Sequence, residues 1–140
     1  MATAKVSQIV NANADKMFAI LGDFAGITSE LITSVKVHGA GIGCVRELTL
    51  ADGARAVDRL DNHDANSRTM TYSLQNEDHP LPFKAYVSTL IVSPVGPGQC
   101  RVDWFANFEP KGATAAEAIA FAQGIYSGII KDAQTRLTAS

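Results

Sequence analysis

Apolar residues recur at every second position through most of residues 34–108, then at every third or fourth position over residues 115–137. The first period predicts a run of strands and the second one long amphipathic helix. Strands are expected over residues 34–38, 44–50, 55–62, 68–75, 83–93 and 100–108, with an earlier one over 5–11. Turn-rich separators divide them: Gly39-Ala40-Gly41-Ile42-Gly43, Asp64-Ala65-Asn66, and Pro94-Val95-Gly96-Pro97-Gly98. Asn13 can cap a short helix over residues 14–21 that Gly22 stops, and a second short helix is expected over 27–31. Thr114-Ala115-Ala116-Glu117 reads as a capping box opening the long helix. Ala115, Ala118, Ile119, Ala122, Tyr126, Ile129, Ile130, Ala133 and Leu137 form its apolar stripe. Lys131 and Arg136 suit its C-terminal end.

One pair breaks the pattern. Arg46 falls on the strand face that carries Cys44, Leu48 and Leu50, and Asp58 on the face that carries Ala54, Ala56 and Leu60. A two-residue loop at Asp52-Gly53 would set Arg46 against Arg59, an unfavourable like-charge pair. A three-residue loop, Ala51-Asp52-Gly53 with Gly53 left-handed, sets Arg46 against Asp58, Leu48 against Ala56 and Cys44 against Leu60. An inward ion pair is expensive to bury, which makes this pair a candidate functional site.

At 140 residues the chain is read as one domain with a substantial core. Its net charge is −2 without a basic stripe, which argues against nucleic acid and anionic membranes as partners. No apolar run reaches the roughly 18 residues a membrane span needs, so no membrane insertion is expected. The N-terminus leads straight into a strand pattern, so no secretory signal is expected. Cys44 and Cys100 are the two cysteines. They are read as reduced and the compartment as cytoplasmic, a disulfide between them being the alternative. His38, His63 and His79 lack ligand spacing, so no metal site is expected. Gly39, Gly41 and Gly43 precede no helix and read as a turn rather than a nucleotide loop. Neither a Ser-His-Asp nor a Cys-His arrangement emerges.

One strand, two short helices, six antiparallel strands and a long helix predict an α+β fold, a sheet with one polar face whose other face covers the helix. Several stretches carry a family likeness: Asn11-Ala12-Asn13-Ala14-Asp15-Lys16, Gly22-Asp23-Phe24, Gly41-Ile42-Gly43-Cys44-Val45-Arg46, Thr71-Tyr72-Ser73-Leu74, Tyr86-Val87-Ser88-Thr89-Leu90 and Arg101-Val102-Asp103-Trp104. In order and spacing the chain resembles the START/SRPBCC superfamily, the birch-pollen-allergen-like helix-grip fold, and within it the polyketide cyclase/dehydrase branch. The resemblance covers residues 1–140 as a single domain. It implies a seven-stranded curved antiparallel sheet around the C-terminal helix, with a cavity between them for a hydrophobic or aromatic small molecule. Carriers, receptors, cyclases and lyases share that fold, so the fold alone does not choose among them.

Strand alternation puts the connections 51–53, 76–82 and 109–113 at one end of the sheet. The middle one is long and proline-stiffened, and the cavity mouth is placed there. Met70, Tyr72 and Leu74 are expected inward, as are Val102, Trp104, Ala106 and Phe108. Alternation leaves the inward face of residues 83–93 undecided; the resemblance favours Lys84, Tyr86, Ser88 and Leu90. A narrower likeness is to fern hydroxynitrile lyases, whose cavity carries an arginine after Gly-Cys-Val, an aspartate after valine, a tyrosine in Lys-x-Tyr-Val-Ser and a tyrosine before a helical Lys-Asp. Those positions are Arg46, Asp58, Tyr86 and Tyr126 here. The chain departs from that pattern in being shorter at both ends and in carrying Thr28-Ser29-Glu30 where tryptophan is common.

The expected site is therefore catalytic Arg46, Asp58, Tyr86 and Tyr126, with a substrate-binding wall of Leu48, Leu60, Met70, Tyr72, Lys84, Ser88, Trp104, Ala106, Ile119, Ala122 and Ile130. Asp58 would orient Arg46, and the cation would favour phenolate on a nearby tyrosine. A phenol could then exchange a proton with a substrate oxygen while Arg46 stabilises its growing charge. This chemistry needs neither a metal nor an organic cofactor. It suits a lyase or cyclase/dehydratase acting on a small aromatic or polyketide-like carbonyl compound, most concretely a hydroxynitrile lyase. The alternative is a non-catalytic carrier of a hydrophobic small molecule or lipid, in which Arg46–Asp58 is a structural ion pair. A homodimer is the assembly the reading allows for.

Overall fold

The computed structural model describes residues 1–138. β1 (Ala2–Val10) leads into α1 (Ala14–Leu21) and a single 3₁₀ turn, Phe24–Gly26. Six strands follow: β2 (Ile32–His38), β3 (Val45–Leu50), β4 (Arg55–Asp64), β5 (Thr69–Leu74), β6 (Phe83–Gly96) and β7 (Gln99–Pro110). Then comes α2 (Ala115–Thr138). The seven strands form one open antiparallel sheet in the order β1-β7-β6-β5-β4-β3-β2. Its concave face is covered by α2, which packs on β1, β7 and α1. The α+β helix-grip fold is the one adopted.

Local chemistry explains the boundaries. Asn13 Oδ1 accepts from Lys16 N at 3.1 Å and starts α1. A side chain at Gly22 would meet the Phe18 ring at 2.7 Å, so the close packing there needs glycine. Thr114 and Glu117 close the capping box in both directions, at 3.0 and 3.1 Å. From there α2 runs 24 residues, about 36 Å at ~1.5 Å per residue. Its buried residues are Ala118, Ala122, Tyr126, Ile129, Ile130 and Ala133.

The hairpin between β3 and β4 uses the three-residue loop. Leu50 and Ala54 pair across it, and Gly53 has φ of 87°. Arg46 pairs with Asp58 and Leu48 with Ala56, and Leu60 N donates to Cys44 O at 2.9 Å. Bulges in β2, β4 and β6 interrupt the ladders, and such interruptions bend strands. β6 continues through Pro94 because β5 pairs with it only as far as Ile91. The missing proline N–H therefore costs no ladder bond.

The second short helix does not form. Residues 27–31 are irregular, and the only turn of helix nearby is Phe24–Gly26. Ser29 explains this: its Oγ accepts from Leu31 N at 3.3 Å and its carbonyl from Ile32 N at 3.0 Å. Such local bonds compete with a helix. Cys44 and Cys100 are buried free thiols. Among the described residues no helix is long and apolar enough to cross a membrane.

Candidate functional site

Arg46 and Asp58 are almost wholly buried, at 1% and 4% exposure. The Nε and Nη2 of Arg46 both lie 2.9 Å from Asp58 Oδ2. Nη1 donates to the carbonyl of Phe24 at 2.9 Å. The guanidinium carbon sits 4.2 Å from the Phe24 ring centre and 4.7 Å from that of Tyr72. A cation between two aromatic faces is stabilised by about 2 kcal/mol or more when desolvated. The charge is thus offset by a carboxylate, a carbonyl and two rings, which is what makes its burial tolerable. Burial pushes the Asp58 carboxyl above the usual carboxylate range, against the opposing pull of Arg46.

A second polar cluster joins β6, β7 and α2. Trp104 Nε1 donates to Ser88 Oγ at 3.0 Å, and Ser88 Oγ lies 2.9 Å from the Tyr126 hydroxyl. The Tyr126 hydroxyl in turn bonds that of Tyr86. Trp104 stacks on Tyr126 with ring centres 4.6 Å apart and planes 9° from parallel. When Ser88 donates to Tyr126, and Tyr126 to Tyr86, the Tyr86 O–H is left free to donate to whatever occupies the cavity.

This geometry corrects the expected electrostatics. Arg46 meets the ring face of Tyr72, while the hydroxyls of Tyr86 and Tyr126 bond each other. Burial pushes both of these phenols well above the ordinary tyrosine value, and the neighbouring Tyr72 phenol adds to the shift. Burial raises Tyr72 too, with Arg46 pulling the other way. All three phenols are held neutral, so they serve as hydrogen-bond donors rather than as phenolate bases.

Between the sheet and α2 lies a cavity of about 70 Å³. Arg46, Asp58, Tyr72, Tyr86 and Tyr126 line it, and most of the remaining wall is aliphatic. Its volume is about half of the ~150 Å³ of an engineered apolar cavity that takes up benzene, so an aromatic ligand requires its walls to move.

Of the expected wall, Leu48 and Tyr72 are in place. Lys84 is not. Ala85 takes a left-handed φ of 52° and a bulge separates Lys84 from Val87. This puts Phe83 and Tyr86 inside, at 2% and 8% exposure. The Lys84 side chain is 44% exposed, 3.9 Å from Glu109. Leu60 lines an outer groove instead, and Met70 and Trp104 pack around a separate crevice beneath α1 and α2. Ser88 supports Tyr126 from behind, Ala106, Ala122 and Ile130 are core, and Ile119 is half-buried at the core's margin. The cavity is therefore confined to the β3–β4 side of the fold, because Trp104 stacked on Tyr126 fills the space towards β7.

Phe24, whose ring and carbonyl hold Arg46, went unassigned in the sequence, although it stands in the Gly22-Asp23-Phe24 stretch of the family likeness. Leu81, Ile125 and Ile129 also line the wall. Ile125 lies beside Tyr126 on α2, one residue off the positions that periodicity favours, whereas Ile129 belongs to the apolar stripe expected from the sequence. The 75–82 connection does contribute to the cavity, through Leu81.

The fold and this site define a helix-grip protein with a largely apolar cavity that ends on a buried ion pair. The model of the polyketide cyclase/dehydrase and lipid transport family matches residues 1–138, and the chain belongs to that SRPBCC-type family. No curated protein matches the chain. Among the solved structures that share its fold are three. The XoxI protein of Bacillus cereus is 28% identical, with a TM-score of 0.84 over 97% of this chain and 95% of its own. An uncharacterised protein of Bacillus thuringiensis is 28% identical, with a TM-score of 0.83 over 96% and 98%. A protein of Thermobifida fusca is 26% identical, with a TM-score of 0.81 over 97% and 93%.

Proposed function

We propose that the protein is a cofactor-independent enzyme that moves a proton on a small aromatic or polyketide-like carbonyl or carbinol compound held in the cavity. The observation that carries this reading is the placement of Asp58. It is a buried carboxylate on the cavity wall, its value raised by burial against the pull of Arg46, and fixed by Arg46 through Oδ2, with Oδ1 not used by the ion pair. A base works best with a value near the working pH. Arg46 fixes its direction, and the neutral Tyr86 O–H, backed by Tyr126 and Ser88, is a donor for the substrate oxygen or leaving group.

Two reactions fit this division of labour. In enolisation, Asp58 takes a proton alpha to a carbonyl, and Tyr86 hydrogen-bonds the oxygen on which charge develops. The enolate then attacks within the molecule or expels a hydroxyl. In cyanohydrin cleavage, Asp58 takes the hydroxyl proton. The electron pair left on oxygen forms the second bond of the aldehyde carbonyl as the C–C pair leaves with cyanide, which Tyr86 stabilises and which departs as hydrogen cyanide on taking the proton held by Asp58. The second is the hydroxynitrile lyase version, and its support is the identity of Arg46, Asp58, Tyr86 and Tyr126.

The test is benzaldehyde release from mandelonitrile by wild type, Tyr86→Phe and Asp58→Asn. Wild-type release above the buffer rate, lost in Asp58→Asn and reduced in Tyr86→Phe, supports the reading. A wild-type rate equal to buffer removes the lyase version, and equal rates in all three proteins remove the assigned roles.

A binding protein is the second reading, favoured by one observation: the cavity wall beyond Arg46, Asp58 and the aromatic rings is mostly aliphatic, with the donors of Arg46 directed to Asp58 and Phe24. Mass spectrometry of the purified protein decides it, since an unchanged lipid or hydrophobic ligand recovered from the cavity supports carriage.

A further inference from the structure

Among the described residues, the buried side-chain nitrogen that finds no hydrogen-bond partner is His79 Nε2. His79 is 7% exposed and stands in the 75–82 connection between β5 and β6. Its Nδ1 accepts from Leu81 N at 3.1 Å, and Leu81 forms part of the cavity wall. An accepting Nδ1 means a neutral ring with its proton on Nε2. Lys111, from the connection between β7 and α2, grips the same segment. Its Nζ donates to the carbonyl of His79 at 2.6 Å and to that of Glu77. The same Nζ lies 3.3 Å from Nδ1. Lys111 N also donates to Pro82 O at 3.0 Å.

We infer that His79 is a pH-sensitive latch that holds the 75–82 connection, and Leu81 with it, closed over the cavity. A second proton on the ring must go to Nδ1. It removes the acceptor that Leu81 N–H uses and sets an imidazolium beside the Lys111 ammonium. Both changes favour the opened connection. The charged groups facing His79 are Lys111 across the gap and Glu77 and Asp78 on its own segment. The backbone of Asn76 and the two carboxylates favour the proton, but burial and then Lys111 outweigh them and lower the His79 value. The sign follows: closure is complete above the ordinary histidine value of about 6.5 and weakens as pH falls through the lowered one. The latch is a property of this segment; that it gates a ligand rests on the reading of the cavity as the binding site.

The experiment compares wild type with His79→Asn between about pH 7.5 and about pH 5, the range in which histidine switches charge. Asparagine keeps an acceptor for the N–H two residues on, without titrating. Amide hydrogen exchange, corrected for intrinsic rates, reads the latch at Leu81, with the Trp104 amide in the sheet as control. Leu81 protection in wild type falls by about tenfold or more towards acid, while Trp104 protection holds and His79→Asn shows no acid loss. Constant Leu81 protection in wild type, or an equal loss in the variant, overturns the latch. Exchange of benzyl alcohol into the protein, followed by NMR, reads gating separately, with faster entry at acid pH in wild type alone. If Leu81 opens as expected but benzyl alcohol binds at neither pH, the latch stands and the ligand reading of the cavity falls.

Discussion

Arg46 reaches Asp58 through Nε and Nη2 together, and both nitrogens lie 2.9 Å from the same oxygen, Oδ2. The pair is neither loosely attached nor symmetrical, and its other supports are Phe24 and Tyr72 rather than solvent.

Removing one partner leaves a bare charge in an apolar site. Asp58→Leu or Arg46→Met alone is expected to cost about 3–5 kcal/mol, while the two together restore wild-type stability or exceed it by about 1–4 kcal/mol. Urea unfolding of the four proteins measures the cycle. Additive losses would show that the pair is not an isolated buried unit.

The three tyrosines predict alkaline behaviour. Tyr72, Tyr86 and Tyr126 are all raised by burial, so the folded state holds these protons more tightly than the unfolded chain. Their contribution to stability is fully present below about pH 10, the unfolded value, and is lost as pH climbs towards the folded ones. Spectrophotometric titration should show no phenolate absorbance until the protein unfolds, then release of all three protons together. A phenol titrating at its ordinary value in the folded protein would contradict the buried network.

Lys84 tests the bulge. Its side chain is outside and near Glu109, and exposed pairs contribute about 0–1 kcal/mol. Lys84→Ala should change stability by no more than about 0.5 kcal/mol and leave ligand binding or turnover at wild-type level. Leu48→Ala, on the cavity wall, should cost about 2–5 kcal/mol and change both. Thermal unfolding and a binding assay on the two variants separate the faces.

Ala85 is the companion case. Its φ of 52° is a conformation in which a Cβ costs about 1–2 kcal/mol. Ala85→Gly should recover up to about 1 kcal/mol by denaturant unfolding, because glycine adopts this backbone freely. A loss of stability would mean that the bulge depends on the alanine side chain.

Much of this was legible in the chain. The Asp52-Gly53 turn and the like-charge penalty of the other register lead to Arg46 opposite Asp58 without coordinates. Asn13, Gly22 and the Thr114–Glu117 box mark their helix ends by local chemistry confined to about one helical turn. The burial of Tyr126 follows from helical spacing. These features share a physical origin, since each is fixed by neighbours in sequence or by one strand partner.

The rest required the whole molecule. Alternation could not show that β6 bulges at Ala85, because the inserted residue changes which side chains face inward without changing composition. Nor could it show that Tyr86 and Tyr126 would bond each other and leave Arg46 to Phe24 and Tyr72. That outcome depends on three strands, a 3₁₀ turn and a helix arriving at one place. The sequence determined the period, the caps, the hairpin register and the placing of two charges on the covered face. Tertiary packing decided how large the cavity is, which groups reach it and which protonation states burial permits, because volume and desolvation belong to the assembled fold and to no single segment.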